Sequence, residues 1–166
     1  KVVKAVHAAG GKIAPQLWHV GSIRKPGEGP NPDYPSATPS GLLGPDKKVL
    51  EPLSTTEIDE LVAAYAQAAS DAVRLGFDAI ELHGAHGYLI DNFFWAGTNQ
   101  RDDKYGGSLE NRTRFAVEIM QAIRGEVGDD FPVILRFSQW KQQDFESKLA
   151  QTAGELEQFL SPLSDA

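Results

Sequence analysis

The chain has 166 residues, 41% hydrophobic and 23% charged, with a formal net charge of −7 at pH 7. That length suffices for one domain with a core, and the negative balance argues against nucleic acid or an anionic membrane as the main partner. Cysteine is absent, which excludes disulfide and thiolate chemistry within these residues, and no apolar stretch is long enough to span a bilayer.

Lys1 to Ala9 places Val2, Val3 and Val6 at helical spacing but carries no start signal, and Gly10-Gly11 closes it. It reads as the last turns of a longer helix. No signal-peptide pattern follows Lys1, so the cytoplasm is the expected compartment. Lys12 to Trp18 is predicted as a short strand that Pro15 makes irregular. Residues 21–53 hold most of the prolines and many glycines, and they are expected to form a long irregular loop. Ser54-Thr-Thr-Glu57 is a capping box, and the stripe Ile58, Leu61, Val62, Tyr65, Ala69, Ala72 and Val73 continues as a helix to Gly76. Phe77 to Leu82 is predicted as a buried strand. A Gly- and Asn-rich excursion over 84–107 follows, with a helical turn near Leu89–Phe94. Ser108 caps a second long helix whose stripe is Phe115, Ile119, Ala122 and Ile123, closed near Gly125 or Gly128. Pro132 to Phe137 is a β-branched strand of buried type, and a more polar helix is expected over about 146–160.

Strict alternation of helices and strands implies parallel strands joined by right-handed crossovers. No Gly-rich phosphate fingerprint follows any strand. The strand-to-helix loops are long and the helix-to-strand loops short, which is the asymmetry of a (β/α)8 barrel. A barrel needs about 250 residues, so the fold class expected is an α/β fragment of a TIM barrel. Residues 1–166 then form one partial domain truncated at both ends.

Polar side chains gather at the three strand ends: Gln16, Trp18 and His19; His83, His86 and Tyr88; and Arg136. Strand C-termini in parallel α/β folds are where ligands bind. His83-Gly-Ala-His86-Gly-Tyr88 concentrates two imidazoles and a phenol, which supply hydrogen-bond donors and a proton source. Gln16 offers both donor and acceptor to the edge of a planar heterocycle, and Arg136 offers a fixed cation to an anion or a reduced ring. Each also has a plain structural reading: Gln16 as a loop hydrogen-bonder, Arg136 as the partner of an acidic neighbour, Trp18 as core. His7 reads as a surface residue, and Asp91, Asp102 and Asp103 as loop-structuring. His83 and His86 with Asp91 and His19 would also suit a metal, but a guanidinium at the next strand end would repel the cation.

The run from His83 to Phe93, the run Asn99-Gln-Arg-Asp-Asp-Lys-Tyr-Gly-Gly-Ser-Leu-Glu-Asn-Arg-Thr-Arg-Phe115, the upstream Gln16-Leu-Trp-His-Val-Gly21 and the downstream Leu135-Arg-Phe-Ser138 together resemble the Old Yellow Enzyme family of FMN-dependent oxidoreductases. The resemblance covers about residues 1–145 and implies family strands three to five of a barrel with FMN at its mouth. It implies that Gln16 and Arg136 bind the flavin, and that His83 and His86 hold a substrate carbonyl. Trp18 would line the substrate pocket, and Tyr88 would donate a proton. NADH or NADPH would be the reductant, a small enone or related electrophilic alkene the substrate, and no metal would be involved. His86 stands where some members carry Asn. Asn99 to Arg114 reads as scaffold, with contact to substrate or a neighbouring subunit the alternative for Arg101. By the resemblance, the flavin phosphate is held by later strands, so this chain alone is expected to bind FMN weakly or not at all. Its exposed sheet edges would favour association into a homo-oligomer or aggregate. A dienoyl-CoA reductase-like iron–sulfur relative and a catalytically silent truncated chain are the alternative readings.

Overall fold

In the computed structural model, which describes residues 1–24, 27, 32–33 and 36–166, three parallel strands form one sheet with helices on one of its faces. Helix α1 (Val2–Ala8) leads to β1 (Gln16–Leu17). A 3₁₀ turn (Gly21–Ile23) and a small hairpin of β2 (Leu42–Gly44) and β3 (Lys47–Lys48) come before α2 (Thr55–Leu75). Then come β4 (Ile80–His86), α3 (Leu89–Phe94), α4 (Leu109–Val127), β5 (Val133–Lys141) and α5 (Ala153–Ser164). The sheet order is β1-β4-β5, with Gln16 opposite Glu81 and His83 opposite Arg136. Among the described residues no strand pairs with the outer edges of β1 or β5.

The helix ends follow local chemistry. Ser54 accepts from the Glu57 N–H while the Glu57 carboxylate accepts from the Ser54 N–H, so two orphan donors are satisfied at once. Gly76 ends α2 at φ +86°, a left-handed conformation that glycine reaches without a Cβ clash. Ser108 caps α4, which runs through Gly125 and stops at Gly128.

Three expected boundaries move. The strand predicted over 77–82 is instead Ile80–His86, so both histidines lie on the strand itself. The strand predicted to end at Phe137 continues to Lys141. The last helix starts at Ala153, not near 146, because Thr152 and Glu155 form a second capping box there. Only Gln16 and Leu17 of the first predicted strand join the ladder, since Pro15 has no N–H, although the carbonyls of Ile13 and Pro15 still accept from Asp78 and Glu81. The loop expected over 21–53 contains the 3₁₀ turn and the hairpin, whose two- and three-residue strands are too short for any periodicity. Residues 25, 26, 28–31, 34 and 35 of that loop lie outside the described residues.

Alternation along the strands sorts side chains between two faces. Ile80 and Leu82 point to the helices and are fully buried, where they meet Phe93, Phe115 and Ile119. Phe93 and Phe115 stack with ring centroids 4.2 Å apart. On the opposite face Ile134 is 47% exposed and Trp18 52% exposed, and no helix of the described chain covers them. No helix among the described residues is long and apolar enough to cross a membrane. Because Phe115 is fully buried in the stack that joins α3 to α4, Phe115→Ala is expected to cost about 3–5 kcal/mol. Thermal and denaturant unfolding measure this, and a loss below about 1 kcal/mol would mean that the stack is not the core of the helical layer.

Candidate active site

Gln16, Trp18, Glu81, His83, Ile134 and Arg136 share the face of the sheet that the helices leave bare, as the register Gln16–Glu81–Ile134 and His83–Arg136 requires. Gln16 donates from its side-chain amide to the Glu81 carboxylate, which leaves its own carbonyl oxygen free. Arg136 is exposed, and among the described residues it forms no ion pair, so the structural reading of Arg136 as an acid's partner is not what the fold shows. At the C-terminal end of β4 the chain reverses through His86 and Gly87, both at positive φ (+63° and +82°), with the Tyr88 N–H donating to the Ala85 carbonyl at 3.3 Å. Two successive positive φ values mark a mirror-image turn, which glycine accepts freely and histidine adopts at a cost.

The turn projects an aromatic cluster over the bare face. Trp18 meets the Tyr88 ring edge-on at 5.0 Å and the His83 ring at 6.0 Å. His83 lies 5.3 Å from both His86 and Tyr88, between ring centroids. His83 is 5% exposed, and its Nδ1 is buried with no hydrogen-bond partner. A buried imidazole nitrogen without a partner is an incomplete arrangement, the kind a bound group satisfies. Trp18 is half-exposed, not core.

Burial lowers the pKa of His83, and the nearby His86 and Arg136 lower it further against the opposing pull of Glu81. Burial, then Arg136 and Lys141, lower that of His86. Both imidazoles are therefore neutral at pH 7, and each can donate one N–H while Arg136 supplies the positive charge of the face.

Behind the turn lies a polar network that the sequence does not announce. Gly87 donates its N–H to Asp91 at 2.6 Å, and its carbonyl accepts from Asn92 and Gln143, each at 2.9 Å. Asp91 in turn pairs with Lys141 at 2.7 Å, and both side chains are fully buried. Burial pushes the Asp91 carboxyl up to about 6, against the pull of Lys141 and the Gly87 N–H. Asp91 is thus loop-structuring, as expected, but its partner was not foreseen, because Lys141 falls beyond the predicted end of its strand. Trp140 lies past the predicted strand end as well. It stacks on His86 with centroids 4.7 Å apart and then on Phe145 at 5.5 Å. Gln142 reaches the Tyr88 hydroxyl at 3.5 Å.

The remaining candidates are scaffold. His19 accepts from the Gly21 N–H at 3.0 Å. His7, on the surface, pairs with Asp78 at 2.8 Å. Arg101 binds Asp103 and the carbonyls of Pro39 and Leu53, and so ties the 84–107 excursion to the loop before α2. Asn99 donates to the carbonyls of Phe93 and Tyr105, each at 2.7 Å. Asp102 is exposed. Among the described residues no three His, Asp or Glu side chains converge in a way that could hold a metal ion.

The sequence matches the NADH:flavin oxidoreductase / NADH oxidase family over residues 1–165, and the chain belongs to that family. It is 45% identical over 140 residues to an NADH oxidase of Thermoanaerobacter brockii, covering 83% of this chain and 21% of that one. It is 43% identical over 142 residues to 12-oxophytodienoate reductase 7 of Oryza sativa subsp. japonica, covering 78% of this chain and 36% of that one. The fold superposes on the Old Yellow Enzyme of Pichia sp. AKU4542 with a TM-score of 0.85 at 32% identity, over 99% of this chain and 45% of that one. Morphinone reductase aligns with a TM-score of 0.73 at 39% identity, over 83% of this chain and 41% of that one. The chain thus spans less than half the length of these relatives, and its three parallel strands with their helices are part of a TIM barrel.

The electrostatics make a pH prediction. A histidine whose pKa falls on folding binds fewer protons folded than unfolded, so the stability it permits is present above its ordinary 6.5 and is lost as pH drops through the folded value. NMR titration of the His83 and His86 ring protons is expected to give midpoints below 6.5, and Arg136→Ala should raise both. Midpoints at or above 6.5 in the wild type would contradict this picture of the face.

Proposed function

We propose that the protein is an FMN-dependent NAD(P)H oxidoreductase that reduces the activated C=C bond of α,β-unsaturated carbonyl compounds. The observation that carries this reading is the convergence of two neutral imidazoles and one phenol at a strand end, beside a bare sheet face that bears the Arg136 guanidinium. The residues fit a flavin. The bare face leaves Ile134 and Trp18 exposed, Gln16 presents an amide edge, and among the described residues neither the Arg136 guanidinium nor the Nδ1 of His83 has a protein partner. Gln16 and Arg136 would hold the isoalloxazine, with Arg136 favouring its reduced, anionic form. Bound FMN supplies the hydride that reaches the substrate β-carbon.

The chain's own side chains handle the other charges. His83 and His86 donate N–H groups to the carbonyl oxygen, where negative charge develops, and being neutral they do so without an ion that must first be desolvated. Tyr88 delivers its hydroxyl proton to the α-carbon, and Trp18 walls the pocket on the far side of the Tyr88 ring. Further support comes from relatives: one is named a 12-oxophytodienoate reductase, and a morphinone reductase structure is in complex with tetrahydroNAD. We therefore infer NADH or NADPH as the reductant and a small enone as the substrate. A second reading, a longer relative with an iron–sulfur cluster and further domains, is favoured only by the 21% share of the NADH oxidase that the chain covers.

The test is absorbance of the flavin-loaded protein, reduced with NADPH and then mixed with 2-cyclohexen-1-one. Reoxidation by the enone is expected. Tyr88→Phe should slow that step by about 10²-fold or more while reduction by NADPH keeps its rate, since the phenol acts as a general acid only toward the enone. Equal loss of both half-reactions would assign Tyr88 to pocket shape and remove it from the chemistry.

A further inference from the structure

Lys141 and Asp91 are both fully buried and form the pair at 2.7 Å. An ion pair in this position is a weak source of stability, because removing two charges from water offsets most of their attraction. Its geometry points to another role. Asp91 stands on α3 and uses its second oxygen to hold the Gly87 N–H, at the centre of the turn that carries His86 and Tyr88. Lys141 is the last residue of β5, and its ammonium also donates to the Ser138 carbonyl at 3.2 Å. The Ser138 hydroxyl accepts the His86 N–H at 2.9 Å and donates to the Trp140 carbonyl at 2.8 Å. The turn is thereby gripped at consecutive amides, His86 by β5 directly and Gly87 by β5 through the ion pair. The strain of a histidine at φ +63° persists only where surrounding contacts over-determine the backbone.

We propose that Lys141 and Asp91 are positioning residues, which lock the His86-Gly87-Tyr88 turn to the C-terminal end of β5 and so set where the proton donor and the second imidazole stand. The assignment rests on the functional reading above for its purpose, but not for its test, which requires neither flavin nor substrate. Asp91 holds the turn at the Gly87 N–H, and Lys141 holds Asp91 and the Ser138 carbonyl.

Amide hydrogen exchange and NMR on the 166-residue chain provide the test. Lys141→Met strands the buried carboxylate and carries a risk of unfolding, so the deciding variant is the double Asp91→Asn/Lys141→Met. It leaves no unpaired buried charge, and it keeps an amide oxygen within reach of the Gly87 N–H. In that variant the Gly87 amide is expected to exchange at least about tenfold faster relative to the Ile119 amide in the core of α4. The His86 ring protons should also move toward free-imidazole shifts as the stack on Trp140 loosens. A uniform change at Gly87 and Ile119, or none at either, with the His86 shifts unaltered, would overturn the proposal and leave the pair a general structural contact. If the flavin-loaded wild type fails to reduce an enone, the functional reading falls while the exchange result still decides the role of the pair.

Discussion

Everything distinctive about this molecule depends on the alternation of side chains along three parallel strands. Residue by residue, β4 and β5 send Ile80, Leu82, Val133, Leu135 and Phe137 toward the helices, and Glu81, His83, Ile134 and Arg136 away from them. A shift of one residue in β5 would place the Arg136 guanidinium in the apolar layer and Leu135 on the open face, and the same shift in β4 would bury Glu81 and His83. The aromatic stack of Phe93 and Phe115 fills the helical side and makes such a shift costly. The register that builds the core is thus the register that brings His83 beside Arg136 and Gln16 beside Glu81.

The site adds to this rigid sheet one deliberately irregular feature. Where β4 ends, a turn with two positive φ values replaces a continued strand. A non-glycine residue in the left-handed region costs roughly 1–2 kcal/mol, and the chain offsets that cost with backbone hydrogen bonds to Ser138, Asp91, Asn92 and Gln143. In return the His86 and Tyr88 rings stand next to His83 and Trp18. Burial first, and the Arg136 charge after it, hold both imidazoles below the ordinary histidine value there.

Much of this was legible in the sequence, and for physical reasons. The Ser54–Glu57 box, Gly76 and Ser108 mark helix ends through local hydrogen bonding that needs no tertiary context. The strand-end placement of Gln16, His83, His86, Tyr88 and Arg136 follows from the order of elements, and the parallel register gathers Gln16, His83 and Arg136 on one face. What escaped depends on contacts distant in sequence. Lys141 and Trp140 follow a strand whose end was set too early, at Phe137, because the apolar pattern that announces a buried strand stops there. The pairing of Lys141 with Asp91, 50 residues apart, has no local signature at all. The start of the last helix differs for another reason: the polar run from 146 suits a helix by composition, but the Thr152–Glu155 box sets the first turn at Ala153.

The most direct test of the account is whether the bare face holds a flavin. The protein would be titrated into FMN while the visible flavin band is followed, with Arg136→Ala and Tyr88→Phe alongside the wild type. The account predicts a weak perturbation of the band by the wild type, one that Arg136→Ala weakens further and that Tyr88→Phe leaves unchanged, since Arg136 lies on the bare face and Tyr88 in the turn beyond it. A perturbation indifferent to Arg136 would contradict the assignment of this face to the cofactor.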